Sequence, residues 1–153
     1  MTDIEIHKPE PIISSGTELE LFSRSSNVKQ TIKALEAGTQ VLITAFYSNG
    51  LDLVKELQSH LKRKLPNKSF QEQRAYRAAF RKLSNLILIE IVDHKLIVKK
   101  APSIGWLKTL YPKSSDFLLT FPQVQGLNSA WQWNQNGIST PVLRNKIHPF
   151  YGV

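Results

Sequence analysis

Residues 40–47, QVLITAFY, carry apolar side chains at neighbouring positions instead of alternate ones. A β-rich run of that kind is buried on both faces, which calls for covering layers on each side of a sheet. Asn49-Gly50 reads as the end of the run. Segments of helical period flank it. Upstream, Val28, Ile32 and Leu35 recur at helical spacing after Ser26 or Asn27, a natural N-cap, and Gly38 stops a helix over about Val28–Ala37. Downstream, Leu51, Val54, Leu57, Leu61 and Leu65 mark a second amphipathic helix, Leu51–Lys64, closed by Pro66.

Ser69 and Glu72 form a capping-box pair that opens a third helix over Phe70–Leu83. Leu86–Val92 and Lys95–Lys100 flank Asp93-His94 and read as a hairpin. Phe117–Phe121 is a further short strand, and Val124–Asn134, stopped by Gly137, a short helix. The tail 138–153 is extended and broken by proline. The expected fold is α+β (or α/β), with a mixed central sheet of about four strands holding Val41–Phe46, Ile87–Val92 and Ile97–Lys99, and helices packed on it. Residues 1–24 read as a flexible N-terminal arm. Residues 25–153 read as one domain, which 153 residues with 41% hydrophobic content can supply with a core.

Composition narrows the function classes. The chain has no cysteine, which excludes disulfides and thiolate metal sites and fits a reducing compartment. None of its four histidines (His7, His60, His94, His148) is paired with another on one helix turn, so no metal site is expected. The longest apolar run, Leu86–Val92, is interrupted by Glu90 and is too short to span a bilayer. The N-terminal stretch carries acids early and lacks an apolar core, unlike a signal peptide. A soluble, cytoplasmic protein with no membrane partner is the expectation.

The formal charge of +8 is concentrated. Between Lys62 and Lys82 lie eight basic residues, namely Lys62, Arg63, Lys64, Lys68, Arg74, Arg77, Arg81 and Lys82, with Glu72 the only carboxylate. Phe70, Tyr76 and Phe80 are threaded among them. Arg74, Arg77 and Arg81 fall on one helix face, while Tyr76, Phe80 and Leu83 fall on the face toward the core, which removes Tyr76 and Phe80 as stacking platforms. Such a strip is either a solvated face or a phosphate-binding surface without sequence readout. Guanidinium forks grip phosphate bidentately, so the arginines favour the second.

No catalytic set assembles. Ser84, Asp93 and His94 are near in sequence, but triads are defined in space, and Asp93-His94 is better read as a turn. Neither GxGxxG after a strand nor GxxxxGK[ST] occurs, so nucleotide phosphate loops are missing. The last third holds all three tryptophans, Trp106, Trp131 and Trp133, together with Phe117, Phe121, Phe150 and Tyr151. Aromatics this dense form either a packed cluster or, with the neighbouring amides, a binding crevice.

The runs Ala101–Trp106 (APSIGW), FPQVQGLNSAWQW with Gly137 following, and Lys146–Val153 (KIHPFYGV) resemble the N-terminal, pre-catalytic region of certain class I S-adenosylmethionine-dependent methyltransferases, over most of residues 25–153. In proteins of that type the KIHPFYGV-like stretch leads into a Rossmann-like catalytic domain carrying the glycine-rich cofactor loop. The resemblance implies that this chain holds no catalytic or cofactor-binding residue. S-adenosylmethionine is then expected only on a catalytic domain missing from the chain. The chain would be the substrate-recognition domain of a split or truncated methyltransferase, acting on an RNA or ribosome-associated substrate. Its basic strip would hold phosphates, and Trp106, Trp131, Trp133, Phe150 and Tyr151 would pack on the catalytic domain. The alternative is a stand-alone protein-interaction module that uses the same aromatic third.

Overall fold

Asn27 opens the first helix of the computed structural model as a side-chain cap, its Oδ1 accepting from the Gln30 N–H at 3.3 Å. The structure describes residues 19–66 and 68–136. Its first half runs β1 (Glu20–Phe22), α1 (Val28–Glu36), β2 (Val41–Ile43), α2 (Tyr47–Lys64) and α3 (Phe70–Ser84). The second half runs β3 (Ile87–Val92), β4 (Lys95–Leu96), α4 (Trp106–Leu110), β5 (Phe117–Thr120) and α5 (Phe121–Asn136).

β3 is the axis of a mixed five-stranded sheet. β1 and β2 pair in parallel, and β2 pairs in parallel with β3 through Val41–Ile87 and Leu42–Leu88. β4 and β5 both run antiparallel to β3. Leu88 pairs with both Leu42 and Thr120, and Ile91 with both Leu96 and Phe117. A strand has two edges, so β5 takes one, and β2 and β4 share the other end to end. Ile87, Leu88, Ile89 and Ile91 are all buried, as a strand covered on both faces must be. The core joins Ile87, Ile89 and Ile91 to Leu35 of α1, Leu53 and Leu57 of α2, and Phe121, Val124 and Leu127 of α5. The α+β class and the helix-covered mixed sheet thus match the patterning, with five strands in place of about four.

Several boundaries differ from the sequence reading. β2 stops at Ile43 instead of Phe46. Ala45 turns the chain through a left-handed conformation (φ 67°), and Phe46 keeps only an isolated bridge to Lys99. Asn49 and Gly50 therefore do not end a strand; they sit in the first turn of α2. No local cap starts that helix. The Tyr47 N–H donates instead to the Lys99 carbonyl (3.0 Å), and the Asn49 Nδ2 donates to the Thr44 carbonyl (2.9 Å).

The hairpin holds, with positive φ at both Asp93 (52°) and His94 (58°), the geometry of a two-residue primed turn. Its second strand is only Lys95–Leu96, because the chain leaves after Ile97 so that Lys99 can meet Phe46. α5 begins at Phe121, not Val124. Thr120 and Gln123 cap it reciprocally, the Gln123 N–H donating to Thr120 Oγ1 (3.3 Å) and the Thr120 N–H to Gln123 Oε1 (3.1 Å). Residues 20–22, read as part of an arm, form a sheet strand with Phe22 in the core, so the folded unit starts before residue 25. Gly137 and the tail 138–153 lie outside the described residues, as do residues 1–18.

α3 packs on α2, with Leu83 and Ser84 fully buried and Tyr76, Ala79 and Phe80 partly buried against the core. Its opposite face is exposed.

Candidate nucleic-acid interface

The phase of α3 is set at its first turn. Ser69 Oγ accepts from the Glu72 N–H at 3.1 Å, and Glu72 Oε2 accepts from the Lys68 N–H at 3.3 Å. That registration turns Leu83 inward and lays Tyr76 and Phe80 half-buried against the core, their rings stacked 6.4 Å apart. Both aromatics are thus packing residues, as their spacing indicates.

The opposite face presents Arg74, Arg77, Arg81 and Lys82, all exposed. With Phe70, Ala78 and Asn85 they line an open groove of about 550 Å³, and no carboxylate is among its lining residues. Arg77 Nε donates to the Gln73 carbonyl within the helix (3.4 Å), and the Arg74 guanidinium lies 5.9 Å from the Phe70 ring centre. Among the described residues, both ion pairs belong to Glu36, with Lys64 and with His60, and neither involves an α3 arginine. Among the described residues the cationic groove is therefore uncompensated.

The eight basic residues do not form one strip. Lys62, Arg63 and Lys64 occupy the last turn of α2, and Lys68 is exposed in the connection to α3. Lys64 Nζ sits 2.6 Å from Glu36 Oε2 of α1, so that cation is already answered. Arg63 lines a separate hollow of about 350 Å³ that contains Glu36, Glu56 and His60. Lys82 borders both the α3 groove and the hollow beside Lys64. Folding thus separates the arginine face of α3 from the end of α2, where Lys64 is paired with Glu36.

Glu36 reports on that second group. The Lys64 ammonium hydrogen-bonded to it, with a smaller contribution from His60, holds its carboxyl below the usual glutamate range against the opposing effect of partial desolvation. Folding lowers this pKa, so the unfolded chain binds the proton more tightly. The stabilisation is complete above the ordinary glutamate pKa and is lost as pH falls through the lower folded value. Exposed pairs are worth at most about 1 kcal/mol. Glu36→Gln should therefore lower stability slightly at neutral pH, and urea titrations of variant and parent should converge in acid. A gap that persists at low pH would assign the effect to packing and not to charge.

Phe70 is the site residue that spacing could have revealed. Positions 70, 74, 77 and 81 follow one heptad-like stripe, out of phase with the core stripe at 76, 80 and 83. The ring is 70% exposed.

The aromatic third is mostly core. Trp106 is 3% exposed and cannot serve as a docking surface, contrary to the sequence expectation. Trp131 packs edge-on against it at 5.5 Å and lies over Gly105. Only Trp133, 59% exposed, is presented to solvent as expected of a partner contact; Phe150 and Tyr151 lie outside the described residues. Ser84 and His94, near in sequence but not read as a triad, bond elsewhere: Ser84 Oγ donates to the Arg81 carbonyl, and His94 Nε2 lies 2.6 Å from the Tyr111 carbonyl. Among the described residues no group of three His, Asp or Glu side chains is placed to hold a metal ion, and no helix is long and apolar enough to cross a membrane. No protein-family model matches the sequence, and a search of curated proteins finds no match.

Proposed function

We propose that this chain is a nucleic-acid recognition domain that binds RNA through the arginine face of α3, as the accessory part of a methyltransferase whose catalytic domain lies outside these residues. The observation that carries the binding role is the groove lined by Arg74, Arg77, Arg81 and Lys82, with no acid among the described residues to answer them. Uncompensated guanidinium groups fixed along one rigid helix attract a polyanion by releasing its condensed counterions and grip phosphate through paired N–H donors. The methyltransferase context rests on the resemblance of APSIGW, FPQVQGLNSAWQW and KIHPFYGV, and S-adenosylmethionine belongs to the catalytic partner. Lys62, Arg63 and Lys68 contribute to the attractive field, while Lys64 is held by Glu36.

Affinity for an RNA of mixed sequence should fall steeply with salt. Replacing Arg74, Arg77 and Arg81 together by Gln should flatten the log–log slope by about 2 to 3, at about 0.7 to 0.9 per lost phosphate contact. Arg and Gln have similar helix propensity, so the fold should be unaffected. Lys29, Lys95 and Lys113, exposed elsewhere, replaced together by Gln provide the charge-matched control. Equal losses in the two variants would mean that net charge alone matters, and no binding by the parent would end the proposal.

A further inference from the structure

Phe70 stands at one end of the arginine stripe, 11 residues before Arg81, which at the α-helical rise places the two Cα atoms about 16 Å apart along the helix axis. A single exposed phenylalanine is ordinary on a protein surface. This one is set apart by its company. It lies on the same stripe as Arg74, Arg77 and Arg81, lines the same groove, and has no role in the core. Tyr76 and Phe80, on the same helix, are turned away into packing. The one aromatic of α3 left outside is thus the one that shares a surface with its arginines.

We infer that the groove takes single-stranded nucleic acid, with an unpaired base stacked on the Phe70 ring while Arg74, Arg77, Arg81 and Lys82 hold the flanking phosphates. The inference rests on the nucleic-acid reading above and adds strandedness to it. Bases in a duplex have their faces covered by their neighbours, so a duplex offers the groove only phosphate and groove edges. An unpaired base offers a π-face that any aromatic platform can take, with little regard for sequence. Arg74 supports the arrangement from 5.9 Å, where its guanidinium covers at most one face of the ring and extends the platform with a second planar cation.

The test uses the full chain with three probes: a labelled, unstructured 12-nucleotide RNA, the same strand annealed to its complement, and inorganic polyphosphate, which has no bases. Phe70→Ala should weaken single-strand binding by about 5- to 150-fold, the range of one base–aromatic stack. Its salt slope should stay parental, and duplex and polyphosphate affinities should not change. Phe70→Trp should bind the single strand at least as well as the parent. Phe70→Leu, which keeps apolar bulk without a π-face, should behave like the alanine variant. Parental melting temperatures establish that each variant is folded. If Phe70→Ala weakens all three probes equally, or none, the stacking inference is overturned while phosphate binding by the arginines stands. If the parent binds neither RNA nor polyphosphate, the stacking inference and the underlying function both fail.

Discussion

Phe121→Ala is expected to lower the stability of the fold by about 3–5 kcal/mol, the usual cost of truncating a fully enclosed aromatic. Domains of this size are held by only about 5–15 kcal/mol in total. The residue is wholly buried, sits where β5 becomes α5, and faces Tyr47 across 5.2 Å. It also fills the space beside Gly50 of α2, where a Cβ would come within 2.3 Å of the ring. One side chain therefore joins the last helix to the start of the second. Urea unfolding should show a lower midpoint at an unchanged slope. A loss below about 1 kcal/mol would mean that the surroundings collapse onto the space, against the close packing described.

Gly50→Ala tests the same contact from the other side. In a helix, Ala is favoured over Gly by about 1 kcal/mol, so on propensity alone the substitution stabilises. With the Phe121 ring in the way, overpacking of about 1–3 kcal/mol should reverse the sign. In a Phe121→Leu background the penalty should shrink, giving a coupling between the two positions. Additive effects would show that the glycine is needed for some other reason.

The elements legible in the sequence are those whose signals are local. Asn27 with Gly38 bounded α1, Ser69 with Glu72 opened α3, and Asp93-His94 made the hairpin; in each case the structure uses the same atoms. The start of α2 was not legible, because its first N–H is satisfied by Lys99, some 50 residues away in the chain. Periodicity found the helix from Leu51 onward but could not see that Phe46 and Tyr47 had left the strand. β1 is three residues long and its charged, half-exposed pattern gave no periodic signal. α5 is a different kind of miss: Thr120 and Gln123 have capping-box spacing, a local signal for the start at Phe121, with Pro122 in the first turn. Pro is acceptable in the first turn of a helix, where its missing N–H has no partner to lose.

The candidate site was legible in part for the same reason. Helical spacing put Arg74, Arg77 and Arg81 on one face and Tyr76 and Phe80 on another, and both placements hold. Charge counting could not separate Lys64 from them, since its partner Glu36 lies on α1, 28 residues earlier. A run of like charge in sequence says nothing of what a neighbouring helix brings to it. Here Glu36 of α1 answers Lys64 at the end of α2, and nothing described answers the arginines of α3.

The tryptophans provide the second large effect and divide the aromatic third into packing and surface. Trp106→Ala should cost about 3–5 kcal/mol, because the ring is enclosed in the core and braced by Trp131 edge-on at 5.5 Å. Trp133→Ala, two residues beyond Trp131 and exposed, should change stability by no more than about 0.5 kcal/mol. Gly105 links the two cases. A Cβ there would lie 2.2 Å from the Trp131 ring, and the backbone at Gly105 is right-handed helical, so any cost of Gly105→Ala is steric and not conformational. That variant should be destabilised and should regain stability when Trp131 is shortened to Leu. Fluorescence separates the three indoles: the Trp106 contribution should be blue-shifted and shielded from iodide, and the Trp133 contribution red-shifted and readily quenched. If Trp133→Ala proves as damaging as Trp106→Ala, the end of α5 packs onto more of the chain than its exposure allows. If it leaves stability intact, any loss of binding to the proposed catalytic partner can be read as an interface effect, with Trp106 excluded from that interface by its burial.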